Sequence, residues 1–205
     1  MKLYFAPDTC SFSPHIVLQE LGLPYDLVRV NNRTKRTSDG ENFLAVNPKG
    51  YVAALRLDSG TVLTEGPALV QYLADLKPEA QLAPANGTLD RVRLQEWLSF
   101  ISSEIHAGSS PLFNKELPEP VQAIFMTKLF NRFDLIEATL TGRTYLTGDR
   151  FTIADTYLFT VLGWMPGFSI DLARWPGITD YRYRIGARPS VAAARAREAE
   201  IPAVE

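Results

Sequence analysis

The sequence predicts a mixed α/β domain over residues 1–79, joined to an all-helical domain over residues 88–205. Three observations point to this division. Short strand-like runs alternate with helical runs in the first third of the chain, each bounded by Gly, Pro or a polar cluster. Beyond that, apolar residues recur almost wholly at helical spacing. Between the two lies a linker-like stretch, Lys77-Pro78-Glu79-Ala80 through Pro84-Ala85-Asn86-Gly87.

Leu3-Tyr4-Phe5 reads as a short buried strand. Ser13 to Leu21 reads as a helix, with Pro14 in its first turn and Gly22 at its C-terminal stop. Tyr25-Asp26-Leu27-Val28-Arg29-Val30 alternates apolar and polar residues, as a strand does. Residues 31–50 are polar, with Gly40 and Asn47-Pro48-Lys49-Gly50 as breakers. Val52 to Leu57 and Thr61-Val62-Leu63 flank Asp58-Ser59-Gly60, which reads as a tight hairpin turn. A helix starts near Pro67 and carries Leu69, Val70, Tyr72 and Leu73. Strand, helix, strand, irregular or helical piece, strand, strand, helix is the order of a thioredoxin-like α/β domain.

In the second part, Leu94, Trp97, Leu98, Ile101 and Ile105 form one apolar stripe. A break at Glu116-Leu117-Pro118-Glu119-Pro120 precedes a second long helix with Leu129, Phe130, Phe133, Ile136 and Leu140. Gly142 and Gly148 bracket a turn, and a third helix starts at Thr152. There Thr152 and Asp155 have the spacing of a capping box, and Phe151 that of a hydrophobic staple. This motif reads as structural, and replacing either residue should cost about 1 kcal/mol or somewhat more. Shorter helices are expected after Pro176 and Pro189.

Composition narrows the function. Basic residues number 21 and acidic ones 23, so no basic excess directs the chain to nucleic acid. No apolar stretch reaches membrane-spanning length. Met1-Lys2-Leu3-Tyr4-Phe5-Ala6-Pro7 has too short an apolar run for a signal peptide, so a cytoplasmic location is expected. The single cysteine excludes an intramolecular disulfide and fits a reducing compartment. One cysteine and two histidines make a metal site unexpected.

Three places could carry chemistry. Cys10 falls between a strand and a helix, where the helix dipole favours a thiolate; a lone cysteine also serves as a small buried hydrophobe. Thr64-Glu65-Gly66-Pro67 joins a strand to a helix. Amides of a first helical turn favour an anion, Gly66 permits close approach, and Glu65 could take an ammonium, so an amino-acid head fits this corner. The same residues also make an ordinary helix start. Ser99, Ser103 and His106 fall at i, i+4 and i+7 and share a helix face, either lining a cleft or forming a solvated polar stripe. His15, among Ile16, Val17 and Leu18, reads as structural.

With those residues in place, the chain resembles a bacterial glutathione S-transferase of the beta class over essentially its full length. The matching stretches are Met1-Lys2-Leu3 with Cys10-Ser11, Val46-Asn47-Pro48-Lys49-Gly50, Leu63-Thr64-Glu65-Gly66, Gln71-Tyr72-Leu73-Ala74-Asp75, Glu96-Trp97-Leu98, and Arg150-Phe151-Thr152-Ile153-Ala154-Asp155. The resemblance implies a thioredoxin-like domain that binds glutathione, a helical domain that helps form the pocket of an apolar electrophile, and a homodimer. It implies that Cys10 faces the glutathione sulfur and can form a mixed disulfide with it, and that His106 sits near the same sulfur from the helical domain. Lys35 would reach the glycine end and the Val52 backbone the cysteinyl backbone. Glu65 and Gly66 would hold the γ-glutamyl head, with Ser99, Ser103 and Glu104 approaching the ligand too, partly from the neighbouring subunit. The implied activity is conjugation of glutathione to electrophiles, with thiol-disulfide exchange through Cys10 also open to it. Glutathione is then the co-substrate, and no metal is implied.

The chain departs from the family pattern at three positions. Ala53 stands where the family has proline after a cis bond; cis bonds before other residues are strongly disfavoured, so a trans bond and a shifted loop are expected. Phe5 stands where many relatives have tyrosine, and Tyr4 points to the other face of its strand. Ala107 replaces a frequent lysine. Phe5 and Ala53 are also the features that favour a non-catalytic glutathione-binding or protein-interaction module of the same fold. A specialised glutathione-dependent lyase or dehalogenase is the third reading. Phe113 and Trp164 are candidates for lining the electrophile pocket.

Overall fold

The computed structural model describes all 205 residues, Met1–Glu205. In chain order the elements are β1 (Lys2–Phe5), α1 (Phe12–Leu21), β2 (Asp26–Arg29), α2 (Phe43–Val46), β3 (Ala54–Arg56), β4 (Val62–Thr64) and α3 (Gly66–Leu76). The helical part continues with α4 (Leu89–Phe100), a π-helical turn (Ile101–His106), α5 (Ala107–Ser109), α6 (Glu119–Leu140), α7 (Ile153–Leu162), α8 (Pro176–Gly186) and α9 (Pro189–Glu200). Two compact units result: Met1–Gln81 together with Gly186–Glu205, and Leu82–Ile185. None of the helices is long and apolar enough to cross a membrane.

The first unit holds a four-stranded sheet in the order β2-β1-β3-β4. β1 runs parallel to β2, with Leu3 opposite Leu27, and antiparallel to β3, with Leu3 opposite Leu55. A parallel pair needs a crossover, and α1 supplies it. α1 stops where Gly22 takes the left-handed conformation at φ +57°. The β3–β4 turn closes at Gly60, φ +85°, which donates to the Leu57 carbonyl at 2.9 Å. β3 is shorter than the predicted Val52–Leu57 run, because Val52 and Ala53 lead into the strand without pairing.

Leu3, Tyr4 and Phe5 are fully buried, as the central strand of a sheet covered on both faces requires. Successive side chains take opposite faces. Tyr4 packs on Phe43 of α2, and Phe5 packs toward His15 of α1. The Tyr4 hydroxyl donates to Glu41 at 3.2 Å, and Arg56 holds both oxygens of the same carboxylate. Burial pushes the Tyr4 hydroxyl up to about 12, with Arg56 opposing and Glu41 assisting. It is not a phenol poised to ionise.

Helix α9 belongs to the first unit and packs on α1. His15 Nδ1 lies 2.8 Å from Glu198 Oε1, which bears out its structural reading. Arg188 grips Glu20 through Nε and Nη2 at 2.8 and 3.0 Å, and Ser190 donates to the same carboxylate. Burial raises the Glu20 pKa, but the Arg188 and Ser190 hydrogen bonds outweigh it and hold the carboxyl below its ordinary range.

In the second unit, Thr88 caps α4 by accepting from Arg91 N–H at 3.2 Å. The buried face of α6 is Leu129, Phe133, Ile136 and Leu140, as its spacing predicts. Thr152 and Asp155 form the capping box at the start of α7. The expectation of a purely local cap is too narrow, however. The Asp155 side chain is fully buried, and it also accepts from Leu146 N–H at 3.0 Å and from the Tyr181 hydroxyl at 2.9 Å.

A second buttress joins α6 to α8. The Glu137 carboxylate accepts from Gly177 N–H at 2.8 Å and Ile178 N–H at 2.9 Å, amides of the first turn of α8. Glu137→Ala removes this acceptor from two helix-start donors. The expected loss of stability is about 1–3 kcal/mol, or roughly 2–4 °C of melting temperature per kcal/mol. Thermal unfolding followed by circular dichroism checks it, with Glu137→Gln expected to fall between the two.

Candidate functional site

In the first unit one short segment, Lys49–Ala53, touches most of the residues singled out from the sequence. Cys10 sits just ahead of α1, and its Sγ donates to the Val52 carbonyl at 3.2 Å. Lys35 Nζ donates to the Gly50 carbonyl at 2.8 Å and lies 5.6 Å from the centre of the Tyr51 ring. Lys49 Nζ reaches Glu65 at 2.6 Å and Thr64 Oγ1 at 2.9 Å. Cys10, Lys35 and Glu65 are thereby tied to five consecutive residues.

Two expectations are corrected here. The helix dipole was expected to lower the Cys10 pKa. Instead burial pushes the thiol up to about 11; backbone hydrogen bonds from Ala53 and Cys10 oppose it and the Glu65 charge adds to it. The residue keeps some surface exposure, but its sulfur is enclosed by protein atoms. A protonated thiol is also what its bond to a carbonyl requires. Second, the Val52–Ala53 bond is cis, not trans. Both residues are buried, and the Val52 carbonyl is taken by Cys10, so the packing around the bend holds the geometry that a proline ring was expected to set.

Two site residues have left-handed backbone without being glycine: Lys35 at φ +58° and Glu65 at φ +70°. Such conformations persist where the surroundings over-determine them, and they collect at functional sites. Glu65 stands at the turn from β4 into α3, with Gly66 and Pro67 opening the helix and no side chain capping it. The Lys49–Glu65 pair is open to solvent, at 57% and 64% exposure. A pair of that kind holds little energy. A zwitterionic head can therefore replace it, giving each side chain a new counter-charge. Lys49 was missed in the sequence because it hid inside a Pro-Lys-Gly breaker that reads only as a turn.

In the second unit, His106 does not share the face of Ser99 and Ser103 that its spacing predicts. From Ile101 to His106 the chain winds as a π-helix, with more residues per turn than an α-helix, so His106 is rotated relative to Ser99. Ser103 Oγ donates to the Ser99 carbonyl at 2.9 Å, and Glu104 pairs with Arg132 Nε at 2.7 Å. His106 Nδ1 lies 2.7 Å from the Tyr157 hydroxyl, and its ring centre is 4.9 Å from that of Trp164. Phe113 meets Trp164 at 5.5 Å and Phe168 at 4.8 Å. His106 is thus held in an aromatic setting and not in a solvated stripe. Tyr157 was missed because it sits 51 residues away on α7. No group of three or more His, Cys, Asp or Glu is placed to hold a metal ion.

Comparison with known proteins agrees with this architecture. Residues 9–76 match the family described as Glutathione S-transferase, N-terminal domain, and residues 100–189 the one described as Glutathione S-transferase, C-terminal domain. The chain is 41% identical to Glutathione S-transferase GstA of Escherichia coli O157:H7, over 93% of this chain and 95% of that protein. It superposes with a TM-score of 0.94 on a sphingomonad glutathione S-transferase complexed with glutathione, at 42% identity, covering 98% of this chain and 100% of that one. The beta-class glutathione S-transferase of Sphingomonas chungbukensis matches with a TM-score of 0.93 at 43% identity, covering 97% and 98%.

Proposed function

The chain belongs to the glutathione S-transferase family, with its likeness to the bacterial beta class, and on that premise we propose that it conjugates glutathione to apolar electrophiles. The observation that carries the reading is the convergence of Cys10, Lys35 and Glu65 on the Lys49–Ala53 segment. A tripeptide offers that segment a chemically matched ligand. Its glycine carboxylate suits Lys35, its cysteinyl backbone the Val52 backbone, and its γ-glutamyl head Glu65, Lys49 and the start of α3 at Gly66. The thioredoxin-like domain 1–79 supplies these groups. The helical domain, expected over 88–205 but ending as a compact unit at Ile185, supplies His106 as a donor to a sulfur anion, and Ser99, Ser103 and Glu104 as further polar contacts. We assign the aromatic group of Phe113, Trp164 and Phe168 to the electrophile. A homodimer in the cytoplasm completes the proposal.

The chemistry is a displacement. The glutathione sulfur attacks the carbon that bears the leaving group, the C–S bond forms, the leaving group departs with its electron pair, and the thiol proton passes to solvent. The protein needs only to favour the glutathione thiolate beside the electrophile. Tyr4 takes no part, because its hydroxyl is committed to Glu41. Cys10, protonated and bonded to Val52, serves better as a hydrogen-bond donor than as a nucleophile. The test is turnover of glutathione with a reactive aryl halide such as 1-chloro-2,4-dinitrobenzene. A rate well above that in buffer is expected. Calorimetric binding of glutathione without turnover would instead identify a non-catalytic module, and no binding at millimolar glutathione would end the reading.

A further inference from the structure

We propose that the segment after α9, Ile201–Glu205, positions Lys35 for the glycine carboxylate by fixing the turn that carries it, an inference that rests on the glutathione role given to Lys35 above. Lys35 sits in a turn closed at its base, where Asn31 N–H donates to the Arg36 carbonyl at 2.9 Å and Lys35 N–H to the Asn31 carbonyl at 2.8 Å. The turn is mostly solvent-exposed, with no core of its own from Asn31 to Arg36. Its backbone at Lys35 lies in the left-handed region, which an unsupported turn does not readily keep.

The support comes from the far end of the sequence. Arg29 Nη1 donates to the Ile201 carbonyl at 2.9 Å, Asn31 Nδ2 to the Val204 carbonyl at 2.8 Å, and Thr34 Oγ1 to the Glu205 carbonyl at 3.4 Å. Three donors spread along the exit from β2 thus grip three carbonyls of one extended segment. The segment is anchored in turn, because α9 is pinned to α1 through Glu198–His15 and Arg188–Glu20. Asn31 does double duty. Its Oδ1 accepts from Arg33 N–H at 2.9 Å and Thr34 N–H at 3.1 Å, shaping the turn, while its Nδ2 ties the turn to the segment. A turn ordered before the ligand arrives spares the ligand the entropic cost of ordering it. Asn31 and Ile201–Glu205 are therefore positioning groups that act through Lys35.

Two variants separate this tether from other effects. Asn31→Asp keeps the acceptor for Arg33 and Thr34 and loses the donor to Val204. Deleting residues 202–205 removes the partners of Asn31 and Thr34, at Val204 and Glu205, and leaves Asn31 and the Arg29–Ile201 bond intact. The first adds a negative charge and the second removes that of Glu205, so a shared effect is not electrostatic. Each is assayed with glutathione and with γ-glutamylcysteine, which lacks the glycine, and Lys35→Ala serves as the reference. Circular dichroism and melting temperature confirm that each variant is folded. Both are expected to raise the KM for glutathione about three- to tenfold at nearly constant kcat, and to narrow its advantage over γ-glutamylcysteine. If Lys35→Ala narrows that advantage and neither tether variant does, or only one of them does, the tether is refuted while the role of Lys35 stands. If Lys35→Ala leaves the advantage unchanged, the role of Lys35 fails first, and the tether with it.

Discussion

Asp155→Ala is expected to lower the unfolding free energy by about 3–5 kcal/mol. The carboxylate accepts from Thr152 N–H at 2.7 Å, the Thr152 hydroxyl at 2.9 Å, Leu146 N–H at 3.0 Å and the Tyr181 hydroxyl at 2.9 Å. All of these surround a fully buried side chain. Alanine would leave buried donors facing a void, and each orphaned donor costs more than an ordinary hydrogen bond contributes. An ordinary cap would lose only about 1 kcal/mol, so the size of the effect discriminates. Urea unfolding measures it, with a melting temperature lower by roughly 6–20 °C. Tyr181→Phe, which removes one donor together with its need for an acceptor, is expected to cost far less. A loss near 1 kcal/mol for Asp155→Ala would reduce the network to a local cap.

The second large effect concerns Cys10. At pH 7.5 its reaction with iodoacetamide is expected to be about 20–30-fold slower than that of a free cysteine. A thiol pKa of about 11 lowers the thiolate fraction roughly 300-fold relative to an ordinary thiol. The more basic sulfur regains about tenfold through its greater nucleophilicity. The sign is set by burial: the folded protein favours the neutral thiol, so the rate should climb close to tenfold per pH unit up to about pH 10, without a plateau. A plateau between pH 6 and 8 would mean that the helix dipole prevails over burial. The same protonated thiol makes a fast mixed disulfide with glutathione unexpected. Cys10→Ala should abolish that disulfide and spare part of the conjugation activity.

The sequence was legible where local physics decides. The stripe of Leu129, Phe133, Ile136 and Leu140 announced α6 because a helix repeats its face every 3.6 residues. Gly22 and Gly60 marked a helix end and a hairpin because both positions need left-handed backbone. The Glu65–Gly66 corner was readable from a strand followed at once by a helix start. What stayed hidden depends on residues far apart in the chain. Cys10 is governed by burial and meets Val52, 42 residues on, and neither shows in the local sequence. Tyr181 reaches Asp155 across 26 residues. The π-helical turn leaves no local mark, since Ile101 and Ile105 keep ordinary α-spacing and are both buried.

The return of α9 to α1 sets a condition on synthesis. A ribosome releases Leu82–Ile185 before Gly186–Glu205, yet the latter complete the unit begun by Met1–Gln81. A nascent chain that has reached Ile185 carries His15 and Glu20 without Glu198 or Arg188 to meet them. Its first unit waits, one wall short, until the twenty residues Gly186–Glu205 emerge.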